Sequence, residues 1–339
     1  MGRRGRARTK QADADPTLKK RPAAVATQDA GDAGPSLKRR PAAIAAAKPR
    51  KRKSLADILK AGNITVHVSR MAVKNLPTDI RDRLKNNLQS IDTVHVVSLM
   101  TGSGMDEPAC AAAEASWKDE QLIDDSRTAI FRHLVKCEKE ESKRNHLHRC
   151  FGNEFCMYAD VSDFASWVPQ CTRTKCENHG HIGLDHIVDN PDIQAVIVVS
   201  GCSCKDFSRL NNIARQRGIS LKDMLDKGSS TTTLAATLRV IDLLEGLIIM
   251  VLLENVDTMD TGHDKKNSEA IVLHLAELSI HAIRFVANSF DYGLPQRRVR
   301  LFIAGYSTSN VMTRDTDPDE FDQIMVRVME ARCRVWNMG

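Results

Sequence analysis

The chain has few aromatic residues and no long apolar run. Aromatic residues make up only 4% of its 339 residues, so a buried core has to be built mainly from aliphatic side chains. No apolar stretch reaches the roughly 20 residues that a membrane-spanning helix needs. The most apolar one, Leu243–Leu253, contains Glu245. We therefore expect no part of the chain to lie in a membrane.

The cysteines do not form the pattern of a disulfide-linked secreted domain. There are nine, an odd number, spread through a long chain, whereas a small secreted framework carries an even number at regular spacing. The first residues are basic, and no apolar segment typical of a secretory signal follows them. These patterns favour free thiols in a reducing compartment.

Positive charge is concentrated in residues 1–53. This segment has sixteen Lys or Arg and four Asp, a net charge of +12, while the rest of the chain carries 33 basic and 39 acidic residues, a net charge of −6. Rich in Ala and Pro, with almost no large apolar side chains, it is predicted to be disordered. A repeat, Leu18–Val25 and Leu37–Ile44, precedes the basic cluster Lys48–Lys53. Such runs are typical of nuclear import or nucleic-acid contact; a solubilising tail is the alternative.

Beyond the basic segment, apolar runs of strand length alternate with helical stretches. One or two short helices are expected in residues 54–90. The predicted strands are Thr93–Leu99, Ala129–Cys137, Phe155–Ala159, Ala195–Ser200, Leu247–Leu253, Ala282–Ala287 and Val299–Ala304, and the helical stretches include Met105–Trp117, Leu234–Glu245 and Ser268–Leu278. This alternation predicts an α/β fold with a mostly parallel sheet covered by helices on both faces. Ligands of such sheets bind beyond the carboxyl ends of the strands.

A glycine turn follows the first predicted strand. Leu99–Gly104 reads Leu-Met-Thr-Gly-Ser-Gly, and glycines let the backbone approach a nucleotide closely. Glu138 and Asp160 end the next two predicted strands, where a carboxylate commonly accepts hydrogen bonds from ribose hydroxyls. The alternatives are a purely structural turn and, for the two carboxylates, helix caps or surface charges.

Two further segments place reactive side chain types at strand ends. The loop Gly201–Asn211 follows a predicted strand directly and contains Cys202 and Cys204, either of which could act as a nucleophile if its thiol pKa were lowered. Glu254 and Asn255 end another apolar strand, where an unpaired buried carboxylate would be costly. Buried loop thiols and a helix cap are the alternatives.

The last segment predicts a basic strand face. Gln296, Arg298 and Arg300 alternate at period two in a predicted strand that follows a turn, so their side chains should share one face. Such a row suits phosphate or anion binding, and an edge strand protected by charge is the alternative.

Together and in this order, these segments resemble the cytosine-C5 DNA methyltransferase family. The loop Gly201–Asn211 is similar to the family's nucleophile loop, which usually reads Pro-Cys-Gln followed by a Phe-Ser pair. Glu254–Val256 matches its Glu-Asn-Val motif, and Tyr292–Arg300 ends in its Gln-x-Arg-x-Arg motif. The resemblance covers roughly residues 93–305. It implies a Rossmann-like fold, S-adenosylmethionine as cofactor and DNA as substrate.

The resemblance also implies roles for individual residues. Cys204 is the expected nucleophile, chosen over Cys202 because it directly precedes Lys205 and the Asp206–Ser208 run. The other catalytic residues implied are Glu254, Asn255, Arg298 and Arg300. The implied cofactor-binding residues are Leu99, Met100, Thr101, Gly102, Gly104, Glu138, Asp160 and Val161. Ser208 and Gln296 are expected to bind the substrate.

The implied chemistry explains these residue types. Attack of the Cys204 thiolate on carbon 6 of cytosine makes carbon 5 able to take a methyl group. Glu254 stabilises the negative charge that develops by hydrogen-bonding to or protonating ring nitrogen 3. A base inside a duplex is out of reach, so the target has to be flipped out. An RNA cytosine methyltransferase and a catalytically impaired, nucleic-acid-binding relative are the alternatives.

The sequence departs from the family pattern at several places. Met100 and Met105 replace an aromatic and a glycine of the cofactor loop, and Ser203 replaces the proline before the nucleophile. The predicted organisation is a disordered basic tail (1–53), a short helical segment (54–90), a methyltransferase catalytic domain (91–305) and a C-terminal extension (306–339). The extension is too short for a full target-recognition domain. The alternatives are a truncated chain, a protein partner that supplies recognition, and a last family motif taken from residues 54–90. The basic tail predicts a nuclear location.

A run of cysteines and histidines was weighed as a metal site. Its members are Cys171, Cys176, His179, His181 and His186, residue types suited to zinc. The spacing fits no established ligand pattern, so a polar surface loop is favoured and no metal is predicted.

Overall fold

The structure is a computed structural model. It describes residues 70, 73–74, 76–127, 130–161, 175–202, 229–260, 267–292, 296–310, 313 and 316–330. The predicted disordered tail therefore lies outside the described residues, as do Cys171, Cys204 and Ser208.

Seven strands form one sheet. They are β1 (Val94–Leu99), β2 (Phe131–Cys137), β3 (Cys156–Tyr158), β4 (Val196–Gly201), β5 (Ile248–Val256), β6 (Ile280–Asn288) and β7 (Val299–Ser307). β1 is buried along its whole length, as expected for a continuous apolar run in the middle of a parallel sheet.

Helices fill most of the connections in the described part of the chain. They are α1 (Thr78–Ser90), α2 (Asp106–Asp119), α3 (Glu141–Phe151), α4 (Asp185–Val188), α5 (Ser229–Leu244), α6 (Asn267–Glu277) and α7 (Pro318–Glu330). α1 begins directly after Pro77, a residue that suits a helix start because it has no N–H to donate. No helix in the described ranges is long and apolar enough to cross a membrane.

The strand order is β3-β2-β1-β4-β5-β7-β6. All neighbours are parallel except that β7 runs antiparallel to both β5 and β6. The order runs outwards in opposite directions from β1 and β4, which makes the carboxyl ends of these two strands the switch point where ligands of open α/β sheets bind. The predicted Rossmann-like fold is confirmed.

The predicted elements match the observed ones closely, with differences at their ends. β5 continues past Leu253 through Glu254 and Asn255 because it pairs with β4 on one side and β7 on the other. β7 begins at Val299. Gln296 and Arg298 therefore precede the strand, and the expected three-residue row on a strand face is wrong: only Arg300 of the three lies in the ladder.

A fully buried ion pair joins β2 to α2. Lys136 Nζ lies 3.0 Å from Asp106 Oδ2 and 3.1 Å from Glu107 Oε1, and its side chain has no exposed surface. Burial by itself raises the pKa of the Asp106 carboxyl, but the neighbouring His133 and Lys136 outweigh that effect and lower the pKa to about 2. The start of α2, which follows the glycine turn, is therefore fixed to the sheet by charge.

Gly104 lies where the glycine turn meets α3. It has a φ of 73°, and a Cβ on it would lie 2.6 Å from Leu147 Cδ2 and Phe151 Cε2. Gly102, two residues earlier, has a similar φ of 61° but nothing within 4 Å of the corresponding position. A substitution at Gly102 would therefore cost backbone strain alone, whereas one at Gly104 would add a packing overlap.

We predict that Gly104→Ala destabilises the fold by roughly 3 kcal/mol, because overlap with α3 adds to the cost of a left-handed Ala. Gly102→Ala is the matched control, with an expected loss of about 1 kcal/mol from backbone strain alone. Urea unfolding followed by circular dichroism measures both free energies of unfolding. Equal losses in the two variants would contradict the packing argument.

Candidate active site

The glycine turn connects β1 to α2 at the carboxyl edge of the sheet. Met100 has a φ of 53°, an uncommon conformation for a bulky residue that marks a sharp end to the strand. The turn is closed by hydrogen bonds from Thr101 N to Cys137 O (3.1 Å) and from Gly104 N to Thr101 O (3.0 Å). Sheet pairing and turn hydrogen bonds together fix this loop.

Glu138 lies directly beside the turn. Its Oε2 accepts a hydrogen bond from Gly102 N (2.8 Å), and its Oε1 accepts one from Glu140 N (3.0 Å). The residue is 6% exposed. Its carboxylate is thus positioned at the end of β2 by main-chain donors, and its role as a ribose-binding acid stays a prediction.

The third predicted cofactor element follows β3. Asp160 accepts a hydrogen bond from Lys139 Nζ (2.9 Å) and is partly exposed. Val161 and Leu99 have buried side chains that belong to the main core. Of the predicted cofactor residues, the structure therefore brings the turn, Glu138 and Asp160 to one edge, while Leu99 and Val161 contribute core packing.

The donor set and space at this edge fit S-adenosylmethionine. The open volume at Gly102 lets a ligand approach the main chain. Glu138 is an acceptor for ribose hydroxyls. Met105, the residue in place of the last family glycine, is 64% exposed, so its side chain does not fill the turn.

A second group of charged residues meets at the ends of β4 and β5. Arg300 Nε lies 2.7 Å from Glu254 Oε1, and Arg298 Nη2 lies 3.8 Å from the same oxygen. Glu254 pairs with Gly201 in the sheet. The ion pair between Glu254 and Arg300 therefore spans two strands and lies beside the point where the nucleophile loop begins.

Gly201 brings the two halves of the site together. A Cβ at this position would lie 3.6 Å from Glu254 Oε2 and 3.6 Å from Met100 O. The glycine turn after β1 and the carboxylate on β5 thus approach the same residue from opposite sides. A methyl donor held at the glycine turn and a nucleobase held at Glu254 would be neighbours.

Asn255 has a buried side chain whose hydrogen bonding is incomplete among the described residues. Its Oδ1 accepts a hydrogen bond from Val256 N (2.8 Å), while its Nδ2 has no partner in that part of the chain. Buried donors are normally satisfied. Asn255 is therefore available to a group entering the site.

Cys202 is buried below the site. Its Sγ hydrogen-bonds with Ser200 Oγ (3.4 Å) and Thr237 Oγ1 (3.6 Å). Burial raises the pKa of the Cys202 thiol, and these two hydroxyls offset only part of that effect. A nucleophilic cysteine needs the thiolate form and access, so Cys202 is unsuited to that role. This agrees with the choice of Cys204, which itself lies outside the described residues.

Comparison with protein families identifies the family to which these residues belong. Residues 165–332 match the model of the family described as C-5 cytosine-specific DNA methylase. That segment contains Glu254, Arg300 and the loop with Cys204. The chain therefore contains a domain of the C-5 cytosine-specific DNA methylase family. Members of this family use S-adenosylmethionine.

Several solved structures are similar to this methyltransferase. A protein encoded within an E. coli prophage and described as a DNA modification methyltransferase is 16% identical, over 64% of this chain and 47% of that one, with a TM-score of 0.39. A Spodoptera frugiperda DNMT2 mutant is 15% identical, over 65% and 51%, with a TM-score of 0.37. Dnmt2 of S. pombe is 13% identical, over 63% and 50%, with a TM-score of 0.39.

The chain spans about half the length of those proteins. A search of curated proteins finds no match.

The site also contains residues that sequence reasoning missed. His133, Lys136 and Asp106 were not candidates, yet their charged cluster holds the start of α2. A lysine flanked by apolar residues inside a predicted strand, in Leu134–Cys137, was the available signal, because a buried lysine needs a carboxylate partner.

Cys202 should be protected from alkylation in the folded methyltransferase. We expect iodoacetamide to modify Cys202 at least about tenfold more slowly than the half-buried Cys150, because the reagent attacks accessible thiolates. Peptide mass spectrometry of the native full chain gives both rates. In denaturant the two rates should converge. Fast labelling of native Cys202 would show that it is a reactive thiol and would reopen the choice of nucleophile.

Proposed function

We propose that this methyltransferase transfers a methyl group from S-adenosylmethionine to carbon 5 of cytosine in DNA, with Cys204 as the covalent nucleophile. The observation that carries the proposal is the Glu254–Arg300 pair (2.7 Å) beside Gly201, within the segment that matches the cytosine-specific family. A carboxylate held next to the start of the Cys204 loop is what the chemistry of a flipped cytosine requires.

The target base is expected to enter between the two groups of residues. Cytosine has to leave the duplex stack to be reached. Its ring nitrogen 3 would hydrogen-bond with Glu254, whose orientation is fixed by Arg300. The Nδ2 of Asn255, which has no partner among the described residues, would hold the base or the Cys204 loop.

Cys204 then forms a bond from its sulfur to carbon 6 of the base. The electron pair of the carbon 5–carbon 6 double bond moves towards carbon 5 and nitrogen 3, where a proton held by Glu254 disperses the charge. S-adenosylmethionine, when bound, supplies an electrophilic methyl group. Carbon 5 would take that methyl group, with S-adenosylhomocysteine as the leaving group. A base then removes the carbon 5 proton, the Cys204 sulfur leaves as the thiolate, and the proton on nitrogen 3 returns to Glu254, which restores the aromatic ring and the enzyme.

The cofactor is expected to lie along the turn from Met100 to Gly104. Gly102 gives access to main-chain groups, and Glu138 accepts hydrogen bonds from the ribose. Asp160 is the corresponding acid after β3. These roles belong to residues that the fold brings to the same edge as Glu254.

The same proposal includes a nuclear location and a protein partner that supplies target recognition. The net charge of +12 in residues 1–53 favours contact with phosphates through counterion release and suits import into the nucleus.

Trapping on 5-fluorocytosine tests the nucleophile. Fluorine at carbon 5 cannot leave as a cation, so an active enzyme given S-adenosylmethionine should remain covalently bound to the oligonucleotide. We predict an adduct on DNA that Cys204→Ser abolishes and that Cys202→Ser, the matched control two residues away, retains. Denaturing gels and mass spectrometry identify the adduct.

The outcomes of trapping separate the competing functions. Adduct on RNA but not on DNA would replace the proposed substrate with RNA. No adduct on either, together with no binding of S-adenosylmethionine in calorimetry, would favour a regulatory nucleic-acid-binding protein.

Glu254→Gln tests the role of the carboxylate. The amide keeps the size of the side chain and can still accept the hydrogen bond from Arg300, but it cannot hold a proton for ring nitrogen 3. We expect the rate of adduct formation to fall by about 100-fold or more, within the range for loss of general acid catalysis. Glu277→Gln, an exposed change on α6, is the control and should leave the rate unchanged. A Glu254→Gln rate close to that of the parent chain would remove Glu254 from the mechanism.

A further inference from the structure

A cluster of cysteine and histidine side chains lies beside β3, apart from the site described above. Its members are Cys156, Cys176, His179, His181 and His186. Cys156 comes from β3 itself, and the other four come from residues 176–186, after a gap in the described chain. Both cysteines are buried. Each of these contacts joins a cysteine Sγ to an imidazole nitrogen.

The distances in the cluster match those between the ligands of a tetrahedral metal ion. Cys156 Sγ lies 3.5 Å from His179 Nδ1 and 3.2 Å from His181 Nδ1, and Cys176 Sγ lies 3.8 Å from His179 Nδ1. Tetrahedral zinc, with Zn–S of about 2.3 Å and Zn–N of about 2.0 Å, places sulfur and nitrogen ligands about 3.5 Å apart. The ligand atoms of Cys156, His179 and His181 all lie within 4.8 Å of one another, whereas Cys176 does not belong to that group and is close to His179.

The backbone around the cluster holds these ligands in place. Lys175 and Ile182 form an antiparallel bridge, closed by a hydrogen bond from Cys176 N to His181 O (2.8 Å). The loop is attached to β3 by a hydrogen bond from Glu177 N to Met157 O (2.8 Å). Side chains on the loop and on β3 therefore converge without any rearrangement of the main chain.

Cys176 and His186 are the two candidates for the fourth ligand, and their hydrogen bonds distinguish them. His179 N lies 3.3 Å from Cys176 Sγ and donates to it, a contact that would stabilise a metal-bound thiolate. His186 Nε2 lies 3.3 Å from Cys156 Sγ, but its other ring nitrogen is buried and has no hydrogen-bond partner in the described part of the chain. Metal-bound histidines almost always donate that second N–H, which favours Cys176.

We propose that Cys156, Cys176, His179 and His181 bind a zinc ion that links the loop 175–186 to β3. Thiolate and imidazole ligands favour zinc over harder cations such as Mg²⁺ or Ca²⁺. Four protein ligands leave no open coordination position, so the ion would stabilise structure and take no part in methyl transfer. The site is independent of the proposed function.

Metal content and cobalt substitution test the proposal on the full-length chain. Purified in the presence of Zn²⁺ and then dialysed, the protein should retain about one zinc ion per chain by mass spectrometry of the elements. The chain reconstituted with Co²⁺ should show the intense near-ultraviolet absorption of thiolate-to-cobalt charge transfer and the visible bands of a tetrahedral ion. Absence of bound zinc, or an octahedral cobalt spectrum, would overturn the proposal without any variant having to fold.

Variants then test the ligands. We expect Cys156→Ser and His181→Asn each to lower retained zinc at least tenfold. Cys150→Ser is the matched control, since Cys150 Sγ also lies 3.5 Å from a histidine nitrogen, that of His146, but in a pair without further donors nearby; its zinc content should be unchanged. Retention of zinc in the double variant Cys156→Ser/His181→Asn would refute the site.

A last pair of variants tests the fourth ligand. Cys176→Ser should remove the metal or reduce the charge-transfer absorption by about half, because one thiolate remains. His186→Asn should keep both the zinc and the cobalt spectrum. Loss of zinc in His186→Asn together with an unchanged spectrum in Cys176→Ser would overturn the assignment of Cys176.

Discussion

The parallel pairing of β1 with β4 decides where every other part of the site can lie. Its register runs from His95↔Val196 to Leu99↔Ser200, so both strands end at the same level of the sheet. From these two strands the sheet extends outwards in opposite directions, which keeps helices from closing over the gap between their ends. The glycine turn and Gly201 leave the sheet side by side in that gap. Under the proposed function, methyl donor and target base would meet because these two strands are neighbours, although about a hundred residues of chain separate them.

Two ion pairs in the molecule differ in how far their side chains are exposed to solvent. This difference corresponds to the different parts they play in the structure. Lys136 is completely buried with Asp106 and Glu107, where loss of one partner would leave an uncompensated charge; it holds the start of α2, and with it the glycine turn, against β2. Glu254 and Arg300 are 30% and 25% exposed, so solvent screens their attraction and little stability follows from it. Partial exposure instead leaves the carboxylate within reach of a substrate. The buried pair maintains geometry, and the exposed pair is available for chemistry.

Much of the fold could be predicted from the sequence, because buried parallel strands are continuous apolar runs and each was followed by a polar residue or a glycine. Glu254, Asn255 and Arg300 could be placed at strand ends for the same reason. The end of β5 at Val256 could not, since its last residues pair with β7, a strand distant in the chain. Cys156 was missed as a partner of His179 and His181 because it reads as one more apolar residue of a strand. Only the docking of residues 175–186 on β3 brings the cysteine and the histidines together.

β3 is the weakest part of the sheet and also supports part of the cofactor site. It has three residues and, among the described residues, lies at the edge and pairs only with β2, yet Asp160 follows it two residues later. The loop 175–186 provides the missing neighbour through Glu177 N and through the Tyr158 hydroxyl, which donates to Gly183 O (2.7 Å). A zinc ion at Cys156 would fix that loop to the strand itself. Its removal should then act on the cofactor edge and leave the Glu254–Arg300 pair, four strands away in the sheet order, in place. Loss of the metal would therefore be separable from loss of the Glu254–Arg300 pair, although not from changes at the cofactor edge.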